Sequence, residues 1–264
     1  RVYQLIESGD IEAGDFQGSW LRTYEICSVE SAPVKGFQQS SYQERFIRLF
    51  AEDGQTIVGQ KDAHGDYHEL RVSLGSLYVV GGYDPAISTE HGASFTAMVI
   101  LGYDIKGRTF LLDSWKAHVE LDEALAKWVQ LCKEWNPIKF TFESVAFQKA
   151  LGGLLEKERR THDLSVRIVP VLRGRDSKID RIYALQPIFK GGNFYVRPLY
   201  NASWLTEYKS FNSIAKLRGS GMQFDLLDAT KDASDLVSPN NYGYEPDTLY
   251  EERFKAFKQA QLMR

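Results

Sequence analysis

The ten residues from Leu77 to Ala86, LYVVGGYDPA, constrain this chain more than any other stretch. They begin as a β-strand, because aromatic and β-branched side chains fit a pleated, buried surface. Gly81 and Gly82 allow another backbone to come close, and Pro85 ends the strand because it lacks an N–H donor. Asp84 is therefore expected at the end of a buried strand, where a carboxylate must be paired or bind a metal. Taken alone, it could also be an ordinary turn aspartate.

The residues after this strand predict two more strands that pair with it. Phe95–Tyr103 and Thr109–Trp115 are apolar runs, and the turn Ile105–Arg108 between them has glycine at its tip. So few residues connect the three runs that we expect them to be antiparallel neighbours.

The hydrophobic period then changes from that of strands to that of helices. Val119–Trp135 reads as an amphipathic helix that ends at Asn136-Pro137. Beyond it, strands and helices alternate: Ile138–Glu143, a helix at about 145–160, strand Ser165–Val171, a helix at Lys178–Phe189, a short strand at Asn193–Val196, and helices at Ala202–Phe211 and from Phe224. The chain is therefore predicted to be an α/β protein with a mixed central sheet and helices on both faces. In that sheet the first and fourth strands can lie side by side, with Asp84 and Glu143 at the same end.

Residues 1–76 give weaker signals. Ser41–Ala51 has apolar residues at helical spacing, which favours a helix. We assign 1–76 to an N-terminal extension or linker remnant and 77–264 to the main domain, which ends in a helical tail at Asp247–Met263. A polar run in the first part carries alternating acids and histidines that are either metal ligands or, as we favour, part of a solvated loop: Asp62, His64, Asp66 and His68.

Further acids stand at the ends of predicted elements. Glu143 closes a buried strand, while Asp225 and Asp228 are one turn apart at a helix start and share a face. Each has an ordinary alternative, namely helix capping for Asp225 and an exposed helix-start position for Glu143. Asp113 is a possible fourth acid, although we favour a structural hydrogen-bonding role for it.

Acids that converge in one cleft would need cations between them, because like charges repel at short range. Sets of oxygen ligands suit hard divalent ions such as Mg²⁺ or Mn²⁺. Two such ions can activate a water and stabilise the leaving oxygen of a phosphodiester.

Basic residues gather in the loop that opens the helix at Lys178. Arg173, Arg175, Lys178 and Arg181 could hold a phosphate backbone together with the helix-start amides. Because acids are interleaved with them, a solvated, salt-bridged face is the alternative. The net charge of −3 neither indicates nor excludes a nucleic-acid partner.

With these motifs in place, the chain resembles the nuclease domain of the large terminase subunit of tailed bacteriophages over about residues 77–237. The resemblance implies a ribonuclease H-like fold and metal-dependent endonucleolytic cutting of concatemeric double-stranded DNA during genome packaging. The matching segments are Gly82–Ala86, Gly107–Asp113, Phe142-Glu143, Ser177–Arg181 and Phe224–Ala229.

The resemblance also implies roles for individual residues. Asp84, Glu143 and Asp225 match the acids that are catalytic and bind Mg²⁺ or Mn²⁺, with two ions expected. Many relatives have paired aspartates at the third position, whereas this chain has Phe224 first, so the third ligand is Asp225, Asp228 or both. Lys178 matches a basic position of the family, and we expect it to contact DNA.

The implied partners are double-stranded DNA, an ATPase motor, the small terminase subunit and the portal. The chain has no phosphate-cradling G-x-x-x-x-G-K-[ST] stretch, so the motor is absent from it. We expect a protein of the host cytoplasm, because no secretory leader and no membrane-length apolar run are visible. The alternatives are another ribonuclease H-like nuclease, such as a Holliday-junction resolvase or a hybrid nuclease, and a non-catalytic DNA-binding or motor-docking module.

Overall fold

The computed structural model describes residues 14–30, 43–86, 95–143, 148–171, 174, 176–212 and 223–237. The strands are β1 Leu21–Glu30, β2 Gln43–Leu49, β3 Gly59–Lys61, β4 Tyr67–Glu69, β5 Arg71–Ser73, β6 Tyr78–Asp84, β7 Thr96–Tyr103, β8 Thr109–Ala117, β9 Lys139–Glu143, β10 Arg167–Val171 and β11 Phe194–Val196. The α-helices in these ranges are α1 Leu121–Trp135, α2 Gln148–Thr161, α3 Lys178–Tyr183, α4 Gln186–Lys190, α5 Ala202–Ser210 and α6 Asp225–Asp235. Among the described helices, none has both the length and the apolar character needed to cross a bilayer. The predicted tail helix Asp247–Met263 lies outside the described residues.

The central sheet has nine strands in the order β10-β9-β6-β7-β8-β11-β1-β2-β5. Strands β6, β7 and β8 are antiparallel neighbours, as the short connections predicted. Strand β9 then runs parallel to β6, and β10 runs parallel to β9. The predicted α/β fold with a mixed sheet and helices on both faces is confirmed, and the predicted first and fourth strands, β6 and β9, are adjacent.

Both faces of strand β6 are buried, which explains its continuous apolar sequence. Val79 and Tyr83 point into one core, where Trp128 of α1 also packs. Val80 points into the opposite core, which includes Leu226 of α6. Each fully buried apolar side chain of this size stabilises the fold by about 1.5–3 kcal/mol. The two cores fix β6 between layers of helices.

The N-terminal residues add strands to the same sheet. Strand β1 pairs in parallel with β11 and antiparallel with β2, which pairs with β5. The domain boundary at residue 77 stays a prediction. Strands β3 and β4 form a separate hairpin. In that hairpin the exposed His68 contacts Asp62 at 2.9 Å, an arrangement typical of the solvated loop that we favoured.

The predicted helix at Ser41–Ala51 is wrong, because the described part of this segment is strand β2. Ile47 packs in the core on one face of the strand. Phe46 points to the other face, where the guanidinium of Arg71 covers its ring at 4.5 Å. Adjacent residues are therefore both buried, and this pattern imitates helical spacing.

The predicted helix Lys178–Phe189 is divided into two short helices, α3 and α4. Helix α4 has Pro187 in its first turn, where the missing N–H donor costs nothing. In an uninterrupted helix the carbonyl of Tyr183 would need the N–H that Pro187 lacks, so the single predicted helix is divided between Tyr183 and Gln186.

Gly82 allows helix α6 to lie directly on strand β6. A Cβ atom at this position would stand 2.0 Å from the carbonyl oxygen of Ala229 in α6. The contact is with backbone, which cannot rotate away as the end of a side chain can. Gly82 therefore sets the distance between the strand that ends in Asp84 and the helix that begins at Asp225.

We expect Gly82→Ala to lower the free energy of unfolding by about 2–3 kcal/mol, because the added methyl pushes α6 off the sheet. Chemical denaturation measures the change. The matched control is Gly153→Ala in α2, where a Cβ would meet no atom within 4 Å. The control is expected to be neutral or slightly stabilising. Equal unfolding free energies for the two variants would contradict this account of the contact.

Candidate active site

The pairing of β6 with β9 brings two acids to one edge of the sheet. Val80 pairs with Lys139 and Gly81 with Phe140, in parallel. Asp84 and Glu143 each lie four residues beyond the first of these pairs, so the two strands end together with their carboxylates at the same edge. Asp84 is only 8% exposed, whereas Glu143 is half-buried.

Helix α6 adds two more acids. Asp225 and Asp228 lie in its first turn, and each is only 1% exposed. The N-cap residue is Phe224, whose side chain makes no capping hydrogen bond. Asp225 is thus inside the helix, and its carboxylate is directed to Lys178 rather than to the cap.

Helix α3 supplies two cations to the same place. Ser177 is its N-cap and forms a capping box with Asp180, in which each side chain accepts a hydrogen bond from the other residue's backbone N–H. The box fixes where the helix begins. Lys178 therefore occupies the first turn and Arg181 lies one turn later, facing α6.

Lys178 lies among three carboxylates. Its Nζ atom is 2.6 Å from Asp225 Oδ1, 3.1 Å from Asp84 Oδ2 and 3.6 Å from Asp228 Oδ2. Arg181 donates to both oxygens of Asp228, from Nε at 3.1 Å and from Nη2 at 2.7 Å. Strand β6 and helices α3 and α6 therefore meet in one charged cluster, which we call the aspartate cluster: Asp84, Asp225, Asp228, Lys178 and Arg181.

The environment shifts the pKa values of two members of this cluster. Burial raises the pKa of Asp84 to about 6; Lys178 opposes the shift, while Asp228 and Asp225 add to it. Burial alone would lower the pKa of Lys178, but Asp84, Asp228 and Asp225 hold it above its ordinary value. The lysine therefore stays charged and acts as a counter-ion to the acids.

The donor chemistry of the aspartate cluster suits a hard divalent ion. All the acidic donors are carboxylate oxygens, and the buried Oδ2 of Asp225 has no hydrogen-bond partner. In the described ranges, however, no three Asp, Glu, His or Cys side chains form a ready-made metal cage. The ammonium of Lys178 lies where the carboxylates converge, so a metal ion would have to take its place.

The structure does not bring every predicted residue to this site. Arg173 and Arg175 lie outside the described residues. Asp113 is buried and accepts hydrogen bonds from Trp135 Nε1 and Tyr200 Oη, both at 3.0 Å. These contacts agree with the structural role that we favoured for Asp113. Contact of Lys178 or Arg181 with DNA stays a prediction.

Two residues near the site were missed in the sequence. Glu207 on α5 is 4% exposed and forms an ion pair with Lys116 of β8 at 2.6 Å. A signal was present, because Glu207 falls on the apolar stripe of its helix beside Trp204 and Tyr208. A charged residue on a buried helix face requires a partner.

No protein-family model and no curated protein matches this chain. Solved structures with a similar fold do exist, among them the following three. The nuclease domain of the large terminase subunit gp2 of bacterial virus Sf6 is 8% identical, with a TM-score of 0.43 and coverage of 59% of this chain and 87% of that one. Thermus thermophilus RuvC bound to a Holliday junction is 10% identical, with a TM-score of 0.32 and coverage of 59% and 90%. The fowlpox virus Holliday junction resolvase is 14% identical, with a TM-score of 0.37 and coverage of 61% and 99%. A terminase nuclease domain, the family named from the sequence, is thus among the matches, and the likeness concerns the fold alone.

We expect Lys178→Met to lower the free energy of unfolding by about 2–4 kcal/mol in buffer with EDTA, because three buried carboxylates lose a shared counter-ion. Chemical denaturation measures the loss. Lys127→Met is the matched control, since Lys127 is half-buried on α1 and its Nζ donates a solvent-exposed hydrogen bond of 3.3 Å to Gln130. If both variants unfold like the unaltered protein, Lys178 does not balance the cluster.

A second expectation concerns pH. The folded protein raises the pKa of Asp84 from 3.8 to about 6, so it binds this proton more tightly than the unfolded chain does. The contribution of Asp84 to the free energy of unfolding should therefore fall as the pH rises from about 4 to 6. In EDTA, Asp84→Asn should gain about 2–3 kcal/mol relative to the unaltered protein between pH 4 and pH 7. Denaturation at both pH values checks this, and a pH-independent difference would contradict it.

Proposed function

We propose that this chain is a divalent-metal-dependent DNA endonuclease that hydrolyses phosphodiester bonds. The observation that carries the proposal is the convergence of Asp84, Asp225 and Asp228 on one cation. Glu143 reaches the same edge of the sheet through the pairing of β6 with β9. Buried acids gathered in this way are costly unless the site uses them to hold cations.

Asp84, Glu143, Asp225 and Asp228 would hold Mg²⁺ or Mn²⁺, with two ions as the expected number. When bound, such ions activate a water and stabilise the leaving oxygen of a phosphodiester. The chain itself supplies the rigid placement of the carboxylates, at the end of a central strand and in the first turn of a packed helix. Arg181 grips both oxygens of Asp228 and so fixes the rotation of that carboxylate.

The basic side chains of α3 and of the loop before it are proposed to hold the DNA backbone. Lys178 and Arg181 belong to the aspartate cluster, and Arg173 and Arg175 stand a few residues before them in the sequence. A local concentration of positive charge can bind phosphates although the whole chain carries a net charge of −3.

The order of the motifs supports a narrower form of the proposal. In it, the chain cuts concatemeric double-stranded DNA during packaging of a viral genome, in the host cytoplasm. Its partners are then an ATPase motor that this sequence does not contain, a small terminase subunit and a portal. This assignment comes from the resemblance of Gly82–Ala86, Ser177–Arg181 and Phe224–Ala229 to the terminase motifs.

We expect Asp84→Asn to reduce Mn²⁺- or Mg²⁺-dependent plasmid cleavage by about a thousandfold or more, because loss of a metal ligand removes several kcal/mol of transition-state stabilisation. Gel assays of supercoiled plasmid measure the rate, and circular dichroism checks that the variant is folded. Asp122→Asn, an exposed position in the first turn of α1, is the matched control and should cleave normally. Unchanged cleavage by Asp84→Asn would overturn the assignment of the site.

The same preparation separates the alternatives. A terminase-type enzyme should cut linear and circular duplex DNA with little sequence preference, whereas a resolvase would prefer four-way junctions and a hybrid nuclease RNA–DNA duplexes. A non-catalytic module would give no heat on calorimetric titration with Mn²⁺ and no cleavage of any of these substrates.

A further inference from the structure

Glu207 on α5 holds the beginning of α6. Its Oε2 atom accepts hydrogen bonds from the backbone N–H groups of Leu226 at 2.9 Å and Leu227 at 3.1 Å. These N–H groups lie in the first turn of α6, where a helix leaves its donors without intrahelical partners. Because the N-cap residue Phe224 offers no side-chain acceptor, Glu207 of another helix accepts these hydrogen bonds instead.

Lys116 ties Glu207 to the sheet. Its Nζ atom donates to Glu207 Oε1 at 2.6 Å, so each carboxylate oxygen of Glu207 has a partner. Lys116 pairs with Ala97 of β7, and Ala97 pairs with Asp84 of β6. Lys116 and Asp84 therefore stand in one row across three strands, and side chains in such a row share a face of the sheet.

These contacts connect the two halves of the aspartate cluster. One end of the connection is the sheet row that contains Asp84, and the other is the helix start that carries Asp225, the residue directly before Leu226. Gly82 sets how close α6 lies to the sheet, but a single contact does not fix where along the sheet the helix begins. The pair of Lys116 and Glu207 supplies that second restraint.

A purely stabilising ion pair is the simpler account of these contacts. Buried ion pairs contribute little net stability, since apolar residues of similar volume often replace them without loss. This pair also uses one carboxylate to join a strand, a helix and the N-terminus of another helix. A buried polar network in which each of these atoms has a partner rigidifies the elements that it joins.

We propose that Glu207, held by Lys116, is a positioning residue that places Asp225 and Asp228 relative to Asp84 for metal binding. The inference rests on the proposed function, because metal binding at these acids is what the placement serves. Neither residue touches the metal or the DNA in this account. Both act through the start of α6.

The test compares Mn²⁺ affinity by calorimetry, which needs no catalysis. Glu207→Gln should weaken Mn²⁺ binding by about tenfold to a hundredfold, the range typical of residues that orient metal ligands. Its amide can still accept from the α6 N–H groups, but its NH₂ group then faces the ammonium of Lys116. The double variant Lys116→Met with Glu207→Gln should therefore recover part of the affinity. Glu156→Gln is the control, since it breaks a half-buried ion pair with Arg159 on α2.

Rescue by a conservative variant separates positioning from general stability. Lys116→Arg keeps the charge and should bind Mn²⁺ within about threefold of the unaltered protein, whereas Lys116→Met should lose about tenfold. Leu185→Ala removes a fully buried side chain of the α6-side core without touching the pair. At a temperature where all variants are folded, Leu185→Ala should keep normal affinity. The Lys116 variants also carry the test if Glu207→Gln does not fold.

The outcomes distinguish this inference from the proposed function. If the unaltered protein binds Mn²⁺ and cuts DNA but Glu207→Gln and Lys116→Met do so equally well, the inference is overturned and the function stands. If Leu185→Ala loses as much affinity as they do, the pair is only stabilising and the inference is again overturned. If the unaltered protein does not bind Mn²⁺, the proposed function fails and this inference fails with it.

Discussion

Electrostatic repulsion among buried carboxylates is the constraint on which this structure depends. Asp84, Asp225 and Asp228 are each less than a tenth exposed, and in such surroundings their charges cannot be left to water. In the described structure Lys178 balances these charges, because its ammonium contacts Asp84 and Asp225 and lies close to Asp228. The positions of β6, α3 and α6 are therefore linked, because a displacement of any one leaves a charge without its partner.

Close packing of helix α6 on strand β6 holds the charged side chains in these positions. Strand β6 is covered on both faces, and Gly82 lets the backbone of α6 lie directly on it. The capping box at Ser177 then fixes the start of α3, so that Lys178 and Arg181 face the same helix. Local backbone features at Gly82 and Ser177 thus determine where charged side chains that are distant in the sequence meet.

The sequence predicted those parts of the fold whose signals are local. Central strands such as β6 and β7 have continuous apolar runs, and the connections between them are too short for any but antiparallel pairing. The sequence failed at β2, where an arginine covers a phenylalanine and hides the alternation of a strand. At the site, Asp84 and the acids of α6 were visible from their placement at the ends of elements. The role of Glu207 was not, because it depends on Lys116, 91 residues away in the chain, and on how the start of α6 packs against α5.

The pairing of β1 with β11 has a consequence for how the protein is made. Leu21 lies opposite Phe194 in this parallel pair, although the two residues are far apart in the chain. During synthesis, β1 cannot form this pairing until β11 has left the ribosome. Contacts of such large sequence separation also form slowly. Until then one edge of β8 has no neighbouring strand, and an open edge can pair with another nascent chain. The order in which the chain is translated therefore makes this protein depend on a slow, late closure of its sheet.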